Sequence, residues 1–515
     1  MSACVCGFTI FLNRCDGEYK AISYKQKLIH DPTQVTPLVQ KWPVLIGIGL
    51  GMIIGTINYS IINVSLPTLV AQLQTNFTMI QWVLLSFALT ATTLLLTVAR
   101  ASDMVGKKKV YLWGLGLFTL ASLLCGFSPS VGWLIGFRVL QGVGSVMTQA
   151  LGLAIITEVI APEERGMAIG LMGGAISVGL IAGPGVGGLL IGLAGWRWIF
   201  WINVPLGLAA LWAVMRYVPN TPPVQTGQRF DAVGALILAA TLFCFSLAMT
   251  LGQERGFGDG MILGLLTGSV IGLLVFLAVE TVVDQPMMNL GLYKNILFSF
   301  NLAMGLLVFI TLGGFFVMPF YLELVKGYSP AQVGLLMMVV PALMGLVSVY
   351  VGKLSDRLGF RWIIFLGLVI LVPGFWAVST LKVETGVLEY IWRMALVGIG
   401  FGIFQTPNNI AIMGAAPREH LGVASGLLAL SRNLGQSTGL PFFGAVFSAF
   451  ALAKSGLSGK TGITTASPEA LMRGINGAFR LAALIVLIPV VLAAWSWWID
   501  RRQREQADET LSQSG

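Results

Sequence analysis

The chain has 515 residues, of which 56% are hydrophobic and only 10% charged, and its mean hydropathy is +0.84. Soluble globular proteins carry about 25% charged residues, so composition excludes that class and makes this a membrane protein. The net charge of +9 invites a nucleic-acid reading, but the basic residues lie in short loops between apolar spans rather than on one interleaved face, which is the pattern of membrane orientation. Cys4, Cys6, Cys15, Cys125 and Cys244 form no even, loop-based disulfide framework, and with two His in the chain a metal site is not expected.

Residues 1–41 lack a signal-peptide pattern, since the apolar stretch Phe8 to Leu12 is short and Asn13, Arg14 and Asp16 follow it. They read as a cytoplasmic tail, or as a start placed upstream of the true one. A membrane helix needs about 20 apolar residues, and fourteen such spans follow: 43–67, 80–101, 108–127, 131–159, 167–194, 197–217, 231–252, 260–281, 297–323, 330–352, 361–381, 388–415, 421–451 and 475–498. The expected fold class is therefore all-α. With the amino terminus inside, cytoplasmic segments hold 20 Lys and Arg, external loops hold 8, and Arg138, Arg393 and Arg432 fall within or beside spans. That asymmetry puts both termini in the cytoplasm and the chain in the plasma (inner) membrane as a multi-pass protein.

The chain also repeats itself. Asp103-Met104-Val105-Gly106-Lys107-Lys108 follows the second span, and Gly352-Lys353-Leu354-Ser355-Asp356-Arg357-Leu358-Gly359-Phe360-Arg361 follows the tenth. Two six-helix halves, at 42–217 and 297–499, account for this, with a linker and two inserted spans at 218–296 and a tail at 500–515. Internal repeats of this kind occur in transporters whose substrate site lies at the repeat interface near the midplane. An aspartate at a helix end, followed by basic residues after a glycine turn, can form charge-assisted contacts that hold one conformation and break in another. Asp103, Gly106, Lys107, Lys108, Asp356, Arg357, Gly359 and Arg361 are the expected latch, with Glu158 joining it.

Within the spans, polar residues are the informative ones. An arginine at the centre of a membrane helix costs on the order of 3 kcal/mol on insertion scales, so Arg138 reads as functional and facing the interior, with Gln141 one turn on. Gln405, Asn408 and Asn409, and then Arg432, Asn433 and Gln436, are spaced by three and four and share helical faces, as cavity-lining or interhelical groups would. Glu323 stands three residues before Lys326, so a surface ion pair and a proton site are its two readings. The run Gly179 to Gly188, with Pro184 inside it, would break a helix in water, yet suits close helix packing in a bilayer.

These stretches together resemble the fourteen-helix drug/proton antiporter branch of the major facilitator superfamily. Residues 352–361 match its loop motif throughout, Arg138-Val139-Leu140-Gln141-Gly142 matches its fourth-helix motif, and Gly179, Gly183, Pro184, Gly187 and Gly188 match every fixed position of its antiporter motif. The resemblance implies a secondary transporter, with the proton gradient as energy source, no cofactor, and a small-molecule substrate such as a drug or metabolite exported by alternating access. The lipid bilayer is its other expected partner, nucleic acid is not, and the oligomeric state is left open, a monomer included. One departure stands out. Relatives usually carry aspartate five residues before the asparagine of Asn-Val-Ala-Leu-Pro, and here that position is Asn58, which does not titrate near neutral pH. A facilitator or importer without strict proton coupling is therefore the runner-up, ahead of a membrane sensor. Gly456 to Thr461 imitates a phosphate-binding loop but has Lys454 where the motif needs glycine, and no nucleophile motif supports an enzyme. Because the embedded charges are cationic, neutral, zwitterionic or anionic substrates are expected over cations.

Overall fold

The computed structural model describes residues 41–161, 164–220, 232–283, 290–416, 421–452 and 466–514. Residues 1–40 and the phosphate-loop look-alike at 456–461 lie outside these. Fourteen helical segments run in order: α1 Lys41–Gln72, α2 Phe77–Val105, α3 Lys107–Gly126, α4 Val131–Val159, α5 Arg165–Ala194, α6 Trp198–Tyr217, α7 Ala232–Arg255, α8 Gly260–Val282, α9 Ile296–Val325, α10 Pro330–Met337 continued by Val339–Leu358, α11 Phe360–Val378, α12 Val387–Ala415, α13 Leu421–Leu452 and α14 Pro468–Ser514. No strand occurs among the described residues.

Thirteen of these are long and apolar enough to cross a membrane. The fourteenth expected span coincides with α13, 32 residues long, whose row of Ser431, Arg432, Asn433, Gln436, Ser437 and Thr438 dilutes its apolar character. Local chemistry sets the ends. The Asn76 side chain accepts from Met79 N at 2.7 Å to start α2, Asp259 and Asn295 cap α8 and α9 in the same way, and Ser329 with Gln332 forms a capping box ahead of Pro330. The two loop-motif turns match each other. Gly106 (φ 103°) and Gly359 (φ 83°) both occupy the left-handed region that glycine tolerates, and each amide donates back to a serine carbonyl, Ser102 and Ser355.

In the first half α4 packs on α2 and α3, and in the second α12 packs on α10 and α11. The pair α7–α8 sits on its own partner, and α7 also touches α2 and α13. Much of α8 faces outward with apolar side chains such as Val270, Ile271 and Leu274, as a lipid-facing helix should.

Candidate substrate and coupling site

The first half is built around a fully buried arginine. Arg138 on α4 is 0% exposed. Its Nε donates to Val83 O of α2 at 2.9 Å and its Nη1 to Gln141 Oε1 at 2.6 Å, while the guanidinium lies 4.2 Å from the centre of the Phe87 ring. The spacing of three between Arg138 and Gln141 puts both on one face of α4. Gln141 passes the polarity on, because its Nε2 donates to Asn58 Oδ1 of α1 at 3.2 Å and to Ser122 Oγ of α3 at 2.7 Å. One cation thus orients an amide relay across four helices. Charged hydrogen bonds contribute about 1.5–3 kcal/mol each, and a desolvated cation over a ring about 2 kcal/mol, which is what lets an unpaired charge persist there.

The second half holds its polar residues differently. Asn408 on α12 is 2% exposed, whereas Arg432 on α13 is half-buried, 5.4 Å from the Phe309 ring centre. Ser431 Oγ donates to Leu302 O of α9 at 3.1 Å, and a methyl group on Gly305 would touch both Asn408 and Ser431, so this cluster fills the α9, α12 and α13 junction. Gln405, Asn409, Asn433 and Gln436 are half-buried beside it. Arg393, the repeat counterpart of Arg138 in sequence, pairs with Glu389 at 3.4 Å.

The glycine run of α5 is wedged between the halves. Side chains on Gly179, Gly183 and Gly187 would collide with Thr56, Ser60 and Ile61 of α1, and on Gly185 and Gly188 with Met338 and Pro330 of α10. Ser60 Oγ reaches Gly179 O at 3.4 Å. Across the seam Gly334 answers Gly188 and Pro184, leaving room only for backbone against backbone. The halves close on each other at one end of the bundle. Phe77 of α2 stacks on Phe316 and meets Phe320 of α9 edge-on and Phe447 of α13 at a tilt, with ring centres 5.1–5.7 Å apart, at the same end as Gly188 and Pro330. Towards the other end Gly170, Gly173 and Gly174 have open space around them, and Leu346, Val349 and Tyr350 of α10 are exposed.

One expectation changes. Glu323 does not pair with Lys326: its Oε1 accepts from Thr68 Oγ1 of α1 at 3.4 Å, while Lys326 Nζ donates to Val383 O at 2.7 Å. The reason lies in a π-helical turn, Tyr321–Val325, which rotates the carboxyl off its sequence neighbour and into the seam, where such turns often mark function. Of the loop latch, Lys107 binds Glu158 at 2.9 Å, Lys108 Nζ donates to Met215 O at 3.3 Å and Arg361 lies 5.2 Å from the Phe360 ring centre. The side chains of Asp103, Asp356 and Arg357 are outside the described residues.

Sequence reasoning missed a second link. Gln81 of α2 and Gln253 of α7 exchange hydrogen bonds at 3.1 and 3.3 Å, and Ser448 of α13 donates to Gln253 Oε1 at 2.8 Å. Asn76 adds a bond to Glu254 at 3.2 Å. Isolated glutamines at span ends gave no pattern to read.

The model of the Major Facilitator Superfamily matches residues 48–440 and again 315–512. The chain belongs to that superfamily. The fourteen helical segments among the described residues are consistent with its fourteen-helix, multidrug-type branch. It is 32% identical over 409 residues to the riboflavin transporter RibZ of Clostridioides difficile, covering 79% of this chain and 88% of that one. It is 28% identical to the tetracenomycin C resistance and export protein of Streptomyces glaucescens, over 79% and 76% of the two chains. Among solved structures, a bacterial homolog of the human lysosomal transporter Spinster superposes with a TM-score of 0.66 at 18% identity, covering 90% of this chain and 97% of that one, a likeness of fold. The protein is a multi-pass membrane transporter.

Proposed function

We propose that this transporter exports a small organic molecule by alternating access, in exchange for protons across the cell membrane. The observation that carries the reading is the α5 glycine run, wedged against α1 on one side and α10 on the other, so that the two halves part along a seam of backbone contacts. With both termini cytoplasmic, as the basic-residue asymmetry suggests, the closed end faces outward and the conformation is inward-open. Full agreement with the antiporter motif supports export, as do relatives named for riboflavin transport, antibiotic export and multidrug resistance. Glu323, at the seam and bonded to Thr68, is the carboxyl we assign to the proton. The neutral Asn58 favours one second reading, flux without strict coupling.

Proteoliposomes separate these readings. Riboflavin, fluorescein and ethidium serve as probes, under a pH gradient of either sign. Exchange should accelerate only when protons run opposite to the probe, and Glu323→Gln should remove that acceleration. Flux indifferent to the gradient selects the uncoupled reading, and ethidium as the preferred probe overturns the expectation against cations.

A further inference from the structure

The relay around Arg138 has a direction, and its direction leaves two donors over. Because Arg138 Nη1 donates to Gln141 Oε1, the Gln141 amide must turn its Nε2 towards Asn58, and Asn58 must answer with Oδ1. The reverse orientation of Gln141 would set N–H against N–H beside a cation. Asn58 is therefore left with Nδ2, and Arg138 with Nη2, and neither atom meets a protein acceptor among the described residues. Both residues are 0% exposed, the hydrogen-bond partners of the cluster are amides, a hydroxyl, a backbone carbonyl and the Cys125 thiol, whose Sγ donates to Gln141 Oε1 at 4.0 Å, and α1 carries no acidic residue between Trp42 and Gln72. Two buried donors on one positively charged cluster, with the charge unbalanced, ask for an acceptor that carries negative charge.

We propose that Arg138 Nη2 and Asn58 Nδ2 are the protein donors of a small-anion site in the first half, filled by a free halide or by the carboxylate of a transported molecule. Asn58 is then a recognition residue, where an aspartate would supply a fixed counter-ion and close the site. Halide binding stands independently of the exporter reading. The carboxylate alternative rests on that reading and names its substrate class.

The test is thermal unfolding of the purified full-length protein in detergent, followed by tryptophan fluorescence at constant ionic strength. Sodium isethionate, a bulky sulfonate with no carboxylate, is replaced stepwise by sodium chloride or by sodium benzoate. A saturable rise of roughly 2–4 °C is expected with at least one of the two. Chloride alone acting identifies a free halide, and benzoate acting identifies a carboxylate. Asn58→Asp should raise the unfolding temperature in isethionate and flatten the anion response. Asn58→Ala should flatten the response without that gain, which keeps the test sound if the aspartate folds poorly. No rise with either anion, or the same rise in both Asn58 variants as in the parent, overturns the proposal. Because unfolding is read without transport, its outcome is separate from that of the flux experiment.

Discussion

The two halves solve the same problem, a cation inside a membrane protein, in opposite ways. In the first, Arg138 is sealed from solvent and holds an amide relay that ties α1, α2, α3 and α4 together. In the second, Arg393, which follows Asp356 by 37 residues as Arg138 follows Asp103 by 35, pairs with Glu389 of the first turn of α12, and the arginine deep in a span, Arg432, is half-buried beside Phe309. The first half is thus organised from its buried charge outward, and the second presents its polar groups along a junction. A repeat in sequence carries the turn geometry of Gly106 and Gly359 across both halves, while the chemistry diverges.

That contrast can be broken experimentally, starting with the relay. Gln141→Leu strands Arg138 Nη1 and Asn58 Oδ1 and should cost about 3 kcal/mol, since each orphaned buried group costs about 1–3 kcal/mol, whereas Gln436→Leu on half-buried α13 should change stability by no more than about 0.5 kcal/mol. Chemical unfolding measures both. At the seam the halves should become equal: Gly188→Leu and Gly334→Leu overpack the same contact and should each cost about 2 kcal/mol, while Gly173→Leu, in open space, should not.

The next contrast separates charge from packing. Arg138→Met relieves a desolvated cation, which offsets the loss of the donor to Gln141 Oε1, so stability should stay within about 1 kcal/mol while flux falls at least about tenfold, equivalent to ~1.4 kcal/mol. Arg393→Met should leave flux near the parent value. The smallest effect belongs to Lys107→Gln, which breaks a partly exposed ion pair with Glu158 and should cost about 0.5 kcal/mol, declining with salt.

Hydropathy alone made the helices legible, down to α13, whose polar row is part of its role. Arg138 and Gln141 could be paired from their spacing of three, but the link to Asn58 spans 83 positions and became visible only in the fold. Glu323 misled because Lys326 is near in sequence, whereas Thr68 is 255 residues away and a π turn decides which one the carboxyl meets. The Gln81–Gln253–Ser448 link was unreadable for a related reason. Single amides at helix ends acquire meaning only when three helices converge.

If the halves part along α5 and α10, one disulfide across that contact should stop transport. The Cβ position at Gly345 lies 4.0 Å from Ser177 Cβ, within the span a disulfide needs. Ser177→Cys with Gly345→Cys, in a chain whose native cysteines are replaced by serine, should crosslink on mild oxidation, stop flux in proteoliposomes, and recover on reduction. A crosslinked protein that keeps transporting would show that the halves do not part along this seam.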